Sequence, residues 1–192
     1  MEQCSSEITA LYKASLVGGE SFTDLTAGLG VDCSFLARRF RRADYVERQE
    51  TLCRLAAHNF PLLGLDHIQV HHADALEYLR EMEPVDCLFL DPARRDSHGG
   101  KTVAITECEP DVCALESLLV EKGRKVMVKL SPMLDMASAL RDLKYIRELH
   151  VIAVNNECKE LTAVLYRMNS VNESSEKEVV ISCLLYTSDA AD

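Results

Sequence analysis

The segment Asp24-Leu25-Thr26-Ala27-Gly28-Leu29-Gly30 sets one acid and two glycines between a β-like run and a helix-like one. Glycines at 28 and 30 permit a tight turn at positive φ and let a ligand approach the backbone closely. A turn with no ligand would need the same glycines. The spacing is not the phosphate-binding G-x-G-x-x-G: Cys33 takes the third glycine position, and Asp32 puts negative charge where a diphosphate would sit. The chemistry that suits this loop is a nucleoside ligand with a cationic tail and no phosphate, with Asp24 as the partner of an ammonium. Glu47, 19 residues beyond Gly28, is an acid placed to accept ribose hydroxyls, or else a solvated charge between Val46 and Arg48. Asp74 could take an adenine amino group, cap the following helix, or do both. Asp91-Pro92-Ala93-Arg94-Arg95 brings a carboxylate, a stiffened loop and two planar cations to the end of an apolar run, where an acceptor amine, a base or a phosphate could be held. A turn with a capping Asp and two surface arginines is the plainer alternative.

Other reactive residues are less persuasive. Cys108 lies between Glu107 and Glu109, whose charges oppose thiolate formation. His71 and His72 fall on opposite faces of a strand, and no C-x-x-C pair occurs, so no metal site is expected. Lys129-Leu130-Ser131-Pro132 could bring Lys129 near substrate or merely end a strand, and Glu157-Cys158-Lys159-Glu160 reads as a charged, exposed turn.

Alternating β and α segments must position these residues. Strands are expected at Ser21–Thr26, Ala43–Glu47, Ile68–His71, Val85–Leu90, Lys125–Lys129, Leu149–Val154 and Leu161–Arg167. Helices are expected at Val31–Arg39, at Gln49–Leu63 with an apolar repeat of Leu52, Leu55, Ala56, Phe60 and Leu63, and at Pro110–Val120 with proline in the first turn. Asn155–Glu160 is too short for a parallel crossover, so the last two strands form an antiparallel hairpin. An α/β, Rossmann-like, mostly parallel sheet closed by such a hairpin is similar to the class I methyltransferase fold.

The chain has 192 residues, 47% hydrophobic and 27% charged, with eight cysteines and a formal charge of −10. This is an ordinary globular composition, large enough to bury a core without disulfides or metal. Scattered cysteines fit a reducing cytoplasm. No basic leader or apolar span of membrane length is present, and the acidic balance excludes bulk electrostatic gripping of nucleic acid, so any polyanion site must be local. Residues 169–182 read as a polar linker and the start of a missing C-terminal domain, residues 1–20 as a helical lead-in, and residues 21–168 as the catalytic domain. The final segment, 183–192, resembles translated sequencing-adapter read-through.

Taken in order, DLTAGLGVD, YVERQ, HADA, LDPARR, VKLSPMLD and NNECKE resemble bacterial class I S-adenosylmethionine-dependent methyltransferases with a THUMP-like domain, over residues 1–168. The resemblance implies cofactor contacts at Asp24, Thr26, Gly28, Gly30, Glu47 and Asp74, and a catalytic loop with Asp91, Pro92 and Arg94. It implies S-adenosylmethionine as cofactor, no metal, and transfer to a base nitrogen of RNA in the cytoplasm, with oligomeric state open. Amino-directed nucleic acid methyltransferases usually show D-P-P-(Y/F/W) here, and Ala93 and Arg94 occupy its last two places, with Arg94 at the aromatic position. Methylation of a small molecule or protein, and a non-catalytic cofactor- or RNA-binding module, are the alternatives.

Overall fold

The computed structural model describes residues 4–94, 105–166 and 180–186. The linker and much of the adapter-like tail lie outside them. Eight strands form one sheet in the spatial order β10-β8-β9-β7-β4-β1-β2-β3. They are β1 (Ser21–Asp24), β2 (Arg42–Glu47), β3 (Ile68–His72), β4 (Val85–Leu90), β7 (Gly123–Leu130), β8 (Ile146–Val154), β9 (Glu157–Tyr166) and β10 (Val180–Tyr186). A two-stranded ribbon, β5 (Ala93–Arg94) with β6 (Cys108–Glu109), stands apart. The helices are α1 (Glu7–Ser15), α2 (Val31–Leu36), α3 (Glu50–Leu62), α4 (Ala75–Glu81), α5 (Val112–Lys122) and α6 (Met136–Asp142).

Strands β3, β2, β1, β4 and β7 pair in parallel, and β9 runs antiparallel to both β7 and β8. The chain reverses at Asn155-Asn156, both at positive φ (53° and 61°), which matches the twist of a tight hairpin. This is the architecture expected from the sequence. Strand β10 then lies parallel beside β8, with the first residues of the adapter-like segment within it.

Period-two alternation divides the core. In β4, Cys87 and Phe89 face one layer with Phe22, Phe40, Tyr45 and Met127, while Leu88 and Leu90 face the other with Leu119, Val126 and Val128. Both faces are covered, as a parallel sheet requires.

Three local expectations are corrected. The buried stripe of α3 is Cys53, Ala56 and Phe60, while Leu55 and Leu63 are half-exposed. A spacing of three then four sets the face that packs, and the leucines flank it. Pro110 is not in the first turn of α5: Asp111 is the N-cap, its carboxylate accepting from Ala114 N at 3.1 Å, so the helix starts after it. The connection between β8 and β9 is only Asn155-Asn156, so Glu157–Glu160 belong to β9 and alternate: Glu157 is exposed, whereas Glu160 is buried.

Candidate active site

The parallel strands end on one edge of the sheet. There β1 runs into the glycine loop, which curls back on itself through Gly30 N to Ala27 O at 2.8 Å. Gly28 and Gly30 have φ of +52° and +77°. Gly30 is the N-cap of α2, and a Cβ there would stand 3.1 Å from Phe60, so the loop needs glycine on both counts.

Neighbouring strands hold the loop down. The Tyr45 hydroxyl donates to Gly28 O at 2.5 Å, and Ala27 N donates to Val46 O at 3.1 Å. Glu47 is buried, and its two carboxylate oxygens accept from Gly28 N (3.0 Å) and Gln49 N (2.8 Å). A carboxylate has about four acceptor directions, so each oxygen keeps one for a ligand. Asp24 is 1% exposed and accepts from Thr26 N at 3.1 Å. Burial pushes its carboxyl well above the usual range, and Asp32 and Asp91 add to that.

Asp91 follows β4. Its backbone N–H donates to Thr26 Oγ1 at 2.7 Å, tying the two loops together. Its carboxylate meets Lys129 Nζ at 2.6 Å. Burial raises the Asp91 carboxyl and Lys129 opposes the rise. Burial also works to lower Lys129, but Asp91 and Asp32 overcome it and hold the ammonium above its ordinary value. Lys129 thus lies at the end of β7, one of the two places the sequence left open, and its ammonium contacts the Asp91 loop.

Behind this pair lies a network with no counterpart in the sequence expectations. Lys13 of α1, with no solvent exposure, contacts Asp32 (2.8 Å), Glu160 (2.7 Å) and Ser5 Oγ (2.7 Å), which exhausts its three donors. Asp32 is also 3.6 Å from Lys129. Two buried ammoniums therefore bridge the lead-in helix, the start of α2, β9 and the Asp91 loop. The one sequence sign was the alternation that turns Glu160 inward once β9 is extended back to Glu157.

A cavity of about 500 Å³ opens at this edge, within the range of small-molecule sites. Thr26, Gly28, Glu47, Asp74 and Asp91 all border it. Asp24, Gly30 and Pro92 are not among its lining residues. Asp74 both borders the cavity and caps α4, its Oδ1 accepting from Leu76 N (2.8 Å) and Glu77 N (3.2 Å). Pro92 is buried; the backbone of Arg94 pairs with Cys108 in the ribbon, and Arg95 lies outside the described residues. Among the described residues, Glu109 and Asp111 bring the cavity's carboxylates to five, against one lining cation, Arg48, which sits 3.5 Å from Glu109. A second depression, about 550 Å³, lies at the opposite edge, lined among others by Ser21, Asp86, Glu121 and Arg124, and by none of the candidate site residues.

No protein-family profile matches the chain. A provisionally assigned methyltransferase of Porphyromonas gingivalis W83 superposes with a TM-score of 0.79 at 34% identity, covering 91% of this chain and 43% of its own. The O-methyltransferase of Bacillus cereus in complex with SAH superposes at 0.62 with 15% identity, over 87% of this chain and 84% of that one. The chain has the class I methyltransferase fold. Among curated proteins, the 23S rRNA (uracil(1939)-C(5))-methyltransferase RlmD of Colwellia psychrerythraea (strain 34H) is 29% identical over 150 residues, which is 70% of this chain and 32% of that protein. The chain thus spans less than half the length of these two nearer relatives.

Among the described residues no helix is long and apolar enough to cross a membrane, and no three His, Cys, Asp or Glu side chains are grouped to hold a metal.

Proposed function

We propose that this chain is an S-adenosylmethionine-dependent methyltransferase that methylates a base nitrogen of RNA in the bacterial cytoplasm. The observation that carries the cofactor is the lining of the cavity, which among the described residues holds five carboxylates and one ion-paired arginine. Such a wall repels phosphate and favours a ligand bearing an ammonium and a sulfonium. Glu47 is the candidate for the ribose hydroxyls and Asp74 for the adenine amino group. Thr26, Gly28 and Gly30 shape the loop around the ligand, and Asp24 holds that loop through Thr26. When bound, the cofactor supplies an activated methyl group.

The residues of the chain do the positioning. Asp91 is fixed at one oxygen by Lys129 and offers the other to the N–H of an acceptor base, aligning the nitrogen with the methyl carbon, while buried Pro92 stiffens the loop behind it. No strong general base is required when proton loss follows transfer. Arg94, three residues after Asp91, is the candidate from the sequence for contact with the base or its phosphate.

The RlmD likeness supports RNA as the substrate class, while the cysteines oppose methylation at carbon five of uracil. That reaction needs a thiolate adduct, and no cysteine lines the cavity among the described residues. Cys108 is buried, and the Cys113 thiol is pushed up to about 11, by burial first and then by Asp111 and Glu116. The test is transfer of labelled methyl from S-adenosylmethionine to bacterial RNA. Asp91→Ala is expected to abolish transfer while changing S-adenosylhomocysteine affinity only modestly; undiminished turnover in the variant would refute the role of Asp91.

A further inference from the structure

The cofactor reading uses the carboxyl edge of the sheet and leaves unused the densest positive charge in the described chain. Arg38, Arg39, Arg41 and Arg42 stand within five residues at the amino end of β2, all exposed, in a chain of formal charge −10. Their backbone is pinned. Phe40, between the two pairs, is buried and stacks on Phe22 with ring centroids 5.2 Å apart. Gly19 N donates to Arg39 O at 3.2 Å, and Arg41 N and Arg42 N both donate to Glu20 O, at 3.2 and 3.0 Å. The aromatic anchor and these bonds turn a short corner into a fixed platform for four guanidinium groups.

Little within the fold neutralises them. Among the described residues Glu20, 3.3 Å from Arg41 Nε, is the one carboxylate in ion-pair contact with the four. Arg38 Nε donates to Ser34 O at 3.2 Å, which spends one of its five donors. Concentrating like charge in this way costs self-repulsion, and none of the four side chains is packed in the core. The planar, doubly donating guanidinium matches phosphate oxygens in pairs.

We propose that this corner is a docking surface for the phosphate backbone of RNA. The inference rests on the RNA reading above for the nature of the polyanion. From Arg42 to Glu47 the strand advances five residues, roughly 17 Å at 3.3 to 3.4 Å each. The patch therefore grips phosphates away from the acceptor nucleotide, which is assigned to Asp91 two strands over, and sets the register of the RNA while base choice is left to the cavity. It also reconciles an acidic chain with a polyanionic substrate, because the attraction is local.

The test is fluorescence anisotropy of a labelled RNA hairpin with the 192-residue chain, between about 50 and 200 mM salt, beside the variant in which all four arginines become glutamine. S-adenosylhomocysteine binding is measured on both proteins. The variant is expected to bind RNA at least about tenfold more weakly, and the slope of log affinity against log salt is expected to flatten by about 3, at 0.7 to 0.9 per lost phosphate contact. S-adenosylhomocysteine affinity stays unchanged, since the cavity lies at the other end of the strands. Equal affinity and slope in the two proteins would overturn the patch and leave the RNA reading standing. A parent chain that binds S-adenosylhomocysteine but no RNA would overturn both the patch and the RNA substrate, and capture only by phosphatidylglycerol-containing vesicles would reassign the patch to a membrane. Should the fourfold variant fail to fold, Arg38→Gln with Arg39→Gln, and Arg41→Gln with Arg42→Gln, are each expected to take about half of the slope change.

Discussion

Strand β2 begins in solvent with Arg42 and ends buried with Glu47, six residues that join two regions of opposite electrostatic design. At the amino end, exposed cations meet almost no internal partner. At the carboxyl end, carboxylates are drawn inward and four of them are answered: Glu47 by two backbone N–H groups, Asp91 by Lys129, and Asp32 and Glu160 by Lys13, whereas Asp24 accepts from Thr26 N and burial pushes its carboxyl up. The difference teaches where the molecule has invested its stability. Exposed charge is cheap to keep and open to a partner, whereas buried charge survives only with a complete set of donors and becomes part of the fold.

Removing a donor from the buried region should therefore do the most damage. Lys13→Met leaves Asp32 and Glu160 buried without their ammonium, and urea denaturation is expected to show a loss of about 3 to 5 kcal/mol. A loss below about 1 kcal/mol would mean that the network relaxes into water and is not a structural element. The arginines of the other edge are expected to give almost no change in the same experiment, which is the sharpest form of the contrast.

Gly30→Ala ranks next. It asks an alanine to hold φ near +77° with its Cβ 3.1 Å from Phe60, and a cost of about 1 to 2 kcal/mol is expected. Because the loop borders the cavity through Gly28, S-adenosylhomocysteine affinity should fall as well. Wild-type stability and affinity together would show that the loop does not need its left-handed geometry.

The smallest effect concerns pH. Burial raises the Asp24 carboxyl above its unfolded value, so the native state holds a proton that the unfolded chain has lost. With more protons bound in the native state, stability falls as pH rises from about 4 toward the folded pKa, then levels off. Asp24→Asn removes that ionisation while keeping an oxygen for Thr26 N. Its melting temperature is expected to exceed the parent's at neutral pH, by about 2 to 4 °C for each kcal/mol relieved, with the gap closing below about pH 4. A constant gap across pH would place the effect elsewhere.

What the sequence made legible follows the same division. The glycine loop, Glu47, Asp74 and Asp91, which border the cavity, announce themselves through local spacing at strand ends, and the hairpin follows from a connection too short for anything else. The Lys13 network was invisible because it joins the two ends of the domain: its members Ser5 and Glu160 are 155 residues apart. A lysine on a short amphipathic helix carries no mark that its ammonium is buried. Glu160 was misplaced for a related reason, since a run of charged residues reads as a turn until the strand pairing is known. In α3 the expected repeat included Ala56 and Phe60 but took flanking leucines in place of Cys53, the third buried residue of the stripe.

Calorimetric titration of the chain with S-adenosylhomocysteine, beside Glu47→Ala, tests the central claim most directly. The cofactor assignment predicts micromolar binding by the parent and a loss of at least about tenfold in the variant, because Glu47 both holds Gly28 and faces the cavity. A folded parent chain that gives no binding heat would contradict the assignment of this cavity to S-adenosylmethionine.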